Sequence, residues 1–439
     1  MKNILLVALV LGCFTQGRAQ TIKFVEYDLP NGLHVILHQD NTVPVVAVSV
    51  MYHVGSKNEV AGRTGFAHFF EHLLFEGSEN IKRGEFMKIV SSHGGANNAN
   101  TSQDRTFFYE LFPSNDFKLG LWLESERMMH PVINEIGVKT QNEVVKEEKR
   151  LRFDNQPYGH LNADMDEKLF PTHPYNWPVI GSMKDIDAAK LQEFKDFFKT
   201  YYVPNNAVLS IAGDIDMEQA KRYVTAYFGE IPRGNPVSYS KIEEQPITKE
   251  MTDTAYDANI QIPLVAIGYR VPGMDSRDAK TMDMISYILS VGGSSKFYKK
   301  MVDEKKEAAF VGSNNYTLED YGVFMNYATP SNGTPINVLI EDMDSEVLKL
   351  QTDLISEEEY KKIKNQMENN LVSSNSKMLG IAENLAGGYT FHHKNTGYTN
   401  EELPIIKSIT RDDIRNAANK YLKTSSRVVL YTLPFKKPA

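Results

Sequence analysis

The sequence predicts an α+β protein of two related domains, each a mainly antiparallel sheet packed with helices, together forming a half-shell. Three observations carry that prediction. The chain has 439 residues, too many for one ordinary core. Segments of period two alternate with segments of helical period. One helix-then-strand segment also occurs twice, as "IDAAKLQEFKDFFKTYYVPNNAVLSIAGD" from Ile186 and as "ITRDDIRNAANKYLKTSSRVVLYTLP" from Ile409. Ile186, Leu191 and Phe198 match Ile409, Ile414 and Tyr421 at one constant spacing.

The elements follow in order. Residues 1–19 read as an export signal: Lys2 is the positive end, Ile4 to Leu11 a short apolar run, and Gly17 and Ala19 the small residues before cleavage at Gln20. The lone cysteine, Cys13, lies in "VLGC" and offers lipid anchoring as the alternative; the short apolar run and the large Leu11 argue against it. Cleaved after Ala19, the chain has no cysteine and needs no disulfide, which suits a periplasmic or extracellular protein. Next, "YDLPNGLHVILHQD" is a hairpin about an Asn-Gly turn, and "TVPVVAVSVMYHVG" is a valine-rich strand. An oily helix follows, then a helix, a Gly-Gly turn and two strands over 85–113, then helical periodicity near 116–130 and 138–150. "VVAVSVMYHVG" and its helix recur as "IPLVAIGYRVPG" with "KTMDMISYIL". These limits give domains at 20–232 and 249–439, joined by the polar, proline-bearing stretch 233–248.

Composition narrows the function. Hydrophobic residues make up 41% and charged residues 24%, and the formal net charge is −8, with no basic run of five. A nucleic-acid partner is therefore not expected. No segment after the leader approaches the ~18 apolar residues of a transmembrane helix.

The chemistry gathers in "GFAHFFEHLLFEGS", 65–78. Phenylalanines and leucines make this helix one for burial, yet it carries His68, Glu71 and His72. Residues four apart share a helix face, so His68 and His72 can present two imidazoles to one point. Such a pair is often unremarkable, but burying it beside a carboxylate without a cation is costly. Zinc suits two imidazoles at this spacing, and a catalytic zinc usually takes three protein ligands and leaves one position for water. Glu71 can lean over the same point as a general base. "VKTQNEVVKEEKR", 138–150, offers the third ligand: Val138, Val144 and Val145 form an apolar stripe, and Glu148 projects from it. "FHH", with His392 and His393, reads as surface or loop, and Asn326 and Asn332 give little.

"GFAHFFEHLLFEGS", "GGANNANTSQDRTFFYE" and "QNEVVKEEKRLRFDNQPYG" together resemble the pitrilysin, insulysin and mitochondrial processing peptidase family, the inverzincins with His-x-x-Glu-His. The glutamate 76 positions after His72 belongs to that pattern. The resemblance implies His68, His72 and Glu148 as ligands of one Zn2+ per chain and Glu71 as general base. It also implies a strand edge at Asn98 and Ala99 where substrate lies extended. Two departures stand out. Gln141 replaces a glutamate that supports the metal ligands from seven residues before Glu148. Asp303 and Phe310 stand where active members carry an arginine and a tyrosine that grip the substrate. The expectation is a zinc metalloendopeptidase that needs a homologous subunit bearing that pair, or acts as a homodimer. The alternative is a structural or peptide-binding subunit that keeps the fold without hydrolysis.

Overall fold

The computed structural model describes residues 21–239, 242–331 and 333–435; the export signal with Cys13, and Asn332, lie outside the described residues. Eleven strands form two sheets among them. The first has β1 (Val25–Asp28), β2 (His34–Gln39), β3 (Val45–Tyr52), β4 (Ala96–Thr101), β5 (Thr106–Pro113) and β6 (Ala207–Gly213), in the order β1-β2-β6-β3-β5-β4. The second has β7 (Met251–Asp257), β8 (Leu264–Pro272), β9 (Ala308–Thr317), β10 (Tyr321–Pro330) and β11 (Val428–Pro434), in the order β7-β11-β8-β10-β9. Each is mainly antiparallel with one parallel pair, β2 with β6 and β7 with β11. Removing β1 makes the two orders superpose strand for strand. The sequence repeat is thus a structural repeat: β6 and β11 are the repeated strands, each fed by the repeated helix, Leu191–Tyr201 or Arg411–Tyr421.

Both faces of each sheet are buried, which explains the near-continuous oily strands. Side chains alternate between faces along a strand. Val46, Val48 and Val50 enter the core shared with Phe66, Phe69, Phe70 and Leu73 of the helix Phe66–Leu73. Ala47 and Met51 enter a separate core with Ile381, Leu385 and Ala386 of the helix Met378–Phe391, which comes from the other half of the chain. The second sheet returns the arrangement. Val265, Ile267 and Tyr269 pack against the helix Arg277–Ser290. Leu264, Ala266, Val428 and Leu430 pack against Met165, Leu169 and Phe170, from the helix Leu161–Leu169 of the first half and the residue after it. The stretch 233–248 carries no helix or strand among its described residues, yet Tyr239 stacks on His53 and Glu244 is buried. No helix among the described residues is long and apolar enough to cross a membrane.

A buried charge cluster also joins the halves. The β9–β10 turn brings Glu319 and Asp320 to Lys57, which pairs with Asp104 at 2.9 Å, with Asp320 at 3.6 Å and, closer still, with Glu319. Glu319 also takes His53 at 2.8 Å, and its backbone N–H donates to Asp104 at 2.9 Å. The carboxylates around it hold the Lys57 ammonium well above its ordinary range despite burial. Lys57→Met should therefore lower unfolding stability by about 3–5 kcal/mol, the cost of leaving buried carboxylates uncompensated. Equilibrium unfolding in urea measures it. A loss below about 1 kcal/mol, the worth of an exposed pair, would show that water already compensates these carboxylates.

Candidate metal centre

Gly65 starts the helix Phe66–Leu73 with a left-handed turn, φ 93°, that an L side chain rarely adopts. A Cβ there would also stand 2.8 Å from the Ile180 carbonyl oxygen. The helix has no side-chain cap of its own. Glu59 supplies one from the preceding loop, accepting from Gly65 N at 2.7 Å and from Ala67 N at 2.8 Å. Phe66, Phe69 and Phe70 share one face of the helix and pack on Phe194 of the helix Leu191–Tyr201, which seats that face in aromatic rings. His68, Glu71 and His72 are left on the half-buried side.

The helix Glu135–Lys149 lies across that side. Asn134 caps it, accepting from Gly137 N at 2.9 Å, and Gly137 lets it approach Leu73 closely. Val145 is fully buried and Val138 half-buried, but Val144 is 43% exposed, so the apolar stripe is narrower than the sequence suggests. Glu148, one turn after Val145, arrives beside the histidines. Its Oε2 lies 2.9 Å from His72 Nε2 and 3.5 Å from His68 Nε2. The imidazole rings are 4.8 Å apart and inclined by 67°.

Three donor atoms thus converge without satisfying one another. Glu148 Oε2 is buried and accepts no well-aligned hydrogen bond, and His68 Nδ1 is buried without a partner. His68, His72 and Glu148 offer ligand atoms all within 4.8 Å of one another, and among the described residues they are the one such group of histidine, cysteine and carboxylate side chains. A cation between the Nε2 atoms would meet the need that Glu148 Oε2 leaves open. Protonation states agree with this. Burial, then the His72 charge, pushes His68 down to about 4, so its imidazole is neutral and able to ligate. His72 beside it holds the Glu148 carboxyl below its ordinary range. Burial raises the Glu71 carboxyl, and the Thr101 hydroxyl partly offsets that.

Glu71 stands apart from the three. Its Oε2 accepts from Thr101 Oγ1 at 2.6 Å. Thr101 closes β4, the outermost strand of its sheet, which also carries Asn98 and Ala99. Asn98 is exposed, and its Oδ1 accepts from Ala99 N at 2.9 Å; Ala99 is buried. Gln141 Nε2 donates to Glu76 Oε1 at 2.5 Å rather than to the metal group, and Glu76 also takes Arg83. It ties the helix Glu135–Lys149 to the turn that follows Phe66–Leu73, one step away from the histidines and Glu148. His392 and His393 both face Asp275, away from this group. Sequence reasoning missed Glu59 and Thr101. The glycine at the start of the helix was the available signal for the first, because it leaves the helix N-terminus in need of an acceptor from elsewhere.

Residues 34–181 match the family model described as Insulinase (Peptidase family M16), and residues 188–367 the one described as Peptidase M16 inactive domain. His68, Glu71, His72 and Glu148 all lie in the first match. The zinc protease PqqE of Helicobacter pylori is 30% identical over 99% of this chain and 98% of its own length. An uncharacterized zinc protease of Rickettsia felis is 24% identical over 91% of this chain and 96% of its own length. These names imply zinc as the metal. A crystal structure of a protease from Helicobacter pylori matches with a TM-score of 0.89 and 29% identity, over 94% of this chain and 100% of that one. Pitrilysin shares the fold at 17% identity and a TM-score of 0.76, with 97% of this chain covering 47% of the longer one.

Glu59 has a measurable signature. Burial lifts its carboxyl to about 8 against the pull of the two amides. A carboxyl raised on folding favours the protonated form, so its stabilisation is complete below the ordinary carboxyl range and fades as pH rises towards 8. Glu59→Gln should flatten that decline, and Glu59→Ala should cost about 1–3 kcal/mol for the buried N–H groups left without an acceptor. Urea unfolding at about pH 5 and about pH 9 checks both. An unchanged pH slope in Glu59→Gln would assign the decline to other groups.

Proposed function

We propose that this chain, which belongs to the M16 (insulinase) family of peptidases, is a zinc-dependent endopeptidase subunit that hydrolyses peptides or small unfolded proteins. One observation carries the reading. On a single helix His68 and His72 converge with Glu148, while Glu71, beside a ligand in sequence, turns to Thr101 and stays outside the cluster. A storage site has no use for that fourth residue.

His68, His72 and Glu148 would hold one zinc ion. Zinc there supplies Lewis acidity, which polarises a carbonyl and makes water easier to deprotonate. Glu71 then acts as base and acid: it takes a proton from the attacking water and returns it to the leaving amine. Its raised proton affinity fits both halves of that task. The Thr101 hydroxyl holds one carboxylate oxygen, which orients the other. The outer strand with Asn98 and Ala99 receives the peptide as an added strand, and main-chain pairing makes such binding tolerant of sequence. Gln141 steadies the ligand helix through Glu76.

Asp303 and Phe310 favour dependence on a partner. Both are exposed, Phe310 lies on β9, and neither offers a cation or a hydroxyl to a substrate. A homologous subunit with an arginine and a tyrosine would supply them; a homodimer is the alternative. That this chain spans about half of pitrilysin agrees with a two-chain enzyme. Residues 1–19 support export to the periplasm or the cell exterior.

The purified mature chain should carry about one zinc, as a three-ligand site requires. Glu148→Gln should lose most of it. Glu71→Gln should keep its zinc while peptide hydrolysis falls at least ~10²-fold, the scale of losing a general base. Elemental analysis beside cleavage of a quenched fluorescent peptide separates the two. Full zinc in Glu148→Gln would move the third ligand elsewhere, and near-normal cleavage by Glu71→Gln would remove Glu71 from the chemistry.

The isolated chain should cleave poorly, and adding a homologue with the arginine and tyrosine should raise the rate by ~10²–10³, the worth of one oxyanion donor. Steady-state kinetics with light scattering would show the rate and the complex rise together. Full activity in the isolated chain, unaltered by the homologue, would end the two-chain reading.

A further inference from the structure

Directly after the ligand helix the backbone widens into a π-helical turn, Arg150–Asp154. Such turns gather at functional sites. Most cations around it are engaged away from the metal group: Lys146 with Asp187 at 2.7 Å, Lys149 with Asp154 at 2.5 Å, and Arg150 with Glu147. Arg152 differs. Its Nη1 lies 3.1 Å from Glu148 Oε1, the oxygen turned away from the histidines, and its side chain is 73% exposed. A solvent-facing guanidinium therefore stands at the rim of the ligand cluster, joined to it through the ligand carboxylate itself.

A divalent cation changes what this arginine needs. Without one, Glu71, Glu148 and Arg152 carry a net charge of minus one. With one, the same group carries plus one, and Glu148 must divide its charge between the metal and the guanidinium. An anion brought by the substrate would restore the balance at the position Arg152 already occupies. A guanidinium fork matches a carboxylate with two parallel hydrogen bonds, a geometry a lone backbone carbonyl cannot complete.

We propose that Arg152 is a substrate-binding residue that grips a carboxylate side chain of the peptide next to the cleaved bond, and so directs cleavage towards aspartate- or glutamate-bearing sites. This rests on the zinc endopeptidase reading above.

The test starts from one bond that the wild-type protein, with its partner if needed, is seen to cut in a mixture of peptides. Peptide pairs are then made with Glu or Gln at each of the two residues flanking that bond. The wild type should prefer one Glu peptide over its Gln twin by about tenfold or more in kcat/KM, the scale of a charge-assisted hydrogen bond. In Arg152→Gln that ratio should fall to about one, and Arg152→Glu should favour a Lys peptide instead. Fluorescence anisotropy of the labelled peptides on zinc-loaded Glu71→Gln protein, with and without Arg152→Gln, reads the same preference without catalysis. Equal treatment of each Glu and Gln pair by the wild type would overturn the proposal and leave the peptidase intact. Equal loss on both members of a pair in Arg152→Gln, or loss of its zinc, would also overturn it and make Arg152 a support of the ligands. If nothing is cut and the pairs are made from any peptide the Glu71→Gln protein binds, a Glu preference lost with Arg152→Gln would sustain this inference while the hydrolytic reading fails; its absence would sink both.

Discussion

Each sheet has two faces to bury, and the helices of its own half cover only one. The other is covered by a helix lent from the opposite half: Met378–Phe391 on the first sheet, Leu161–Leu169 on the second. Burying one large apolar side chain is worth about 1.5–3 kcal/mol, so neither half could expose such a face and remain folded alone. The fit is close. A Cβ at Gly268 of β8 would fall 2.2 Å from the Met165 sulfur, so at that one position the sheet has room for backbone only. The exchange also governs the metal group. The helix that carries Glu148 runs into the π-helical turn, and a turn over 155–160 leads on to the lent helix. Glu148 thus lies in sequence between two anchors: Val145, buried with Phe69 and Leu73, and Met165, buried with Ala266 and Leu430.

How much of this was legible follows from what periodicity can encode. Period two with continuous valine located β3 and its repeat β8, and the constant spacing of Ile186 and Ile409 located β6 and β11, because local burial leaves a local pattern. The α+β class, the two related sheets and the M16 relationship all stand as read. The lending of helices was not legible. The apolar faces of 161–169 and 378–391 announce burial but not against which sheet, and that choice is made by contacts more than a hundred residues distant. Val144 shows the same limit within one helix. It satisfies the hydrophobic pattern and still faces solvent, because Val145 and Val138, not Val144, turn to the core that holds Leu73. Tyr239 and Glu244 show it for the connecting stretch, whose polar composition suggests a tether: Tyr239 stacks on His53, and Glu244 accepts from Thr172 N in the first half and lies 3.9 Å from Arg270 in the second.

At the site, local spacing was enough to pair His68 with His72 on one helix and to single out Glu148 on another, because i,i+4 geometry and an interrupted apolar stripe are written in sequence, and the structure brings the three side chains together. The supports were harder to read. Glu59 lies nine residues before His68 and reaches the helix only because the chain doubles back, and Thr101 meets Glu71 only once β4 is laid along the sheet. Arg152 stands among charges of both signs in "KEEKRLRFD", and it is distinguished only by which carboxylate it faces.

The question of why an oily helix carries three ionisable groups can be put in terms of protonation. Burial disfavours charge on His68 and on Glu71, whereas Glu148 keeps its charge through the imidazole beside it. The same low-polarity setting thus favours a neutral imidazole at His68, a charged carboxylate at Glu148 and a raised proton affinity at Glu71, the states that the proposed peptidase reaction would use. Convergent donors that leave one another unsatisfied are a cost to the fold. The rings of Phe66, Phe69 and Phe70 against Phe194, with the Glu59 cap, offset it by fixing the helix independently of any metal. A rigid apolar seat is therefore the condition for an ionisable face, because only a helix already held in place can keep His68 and His72 aimed at one point before the cation arrives.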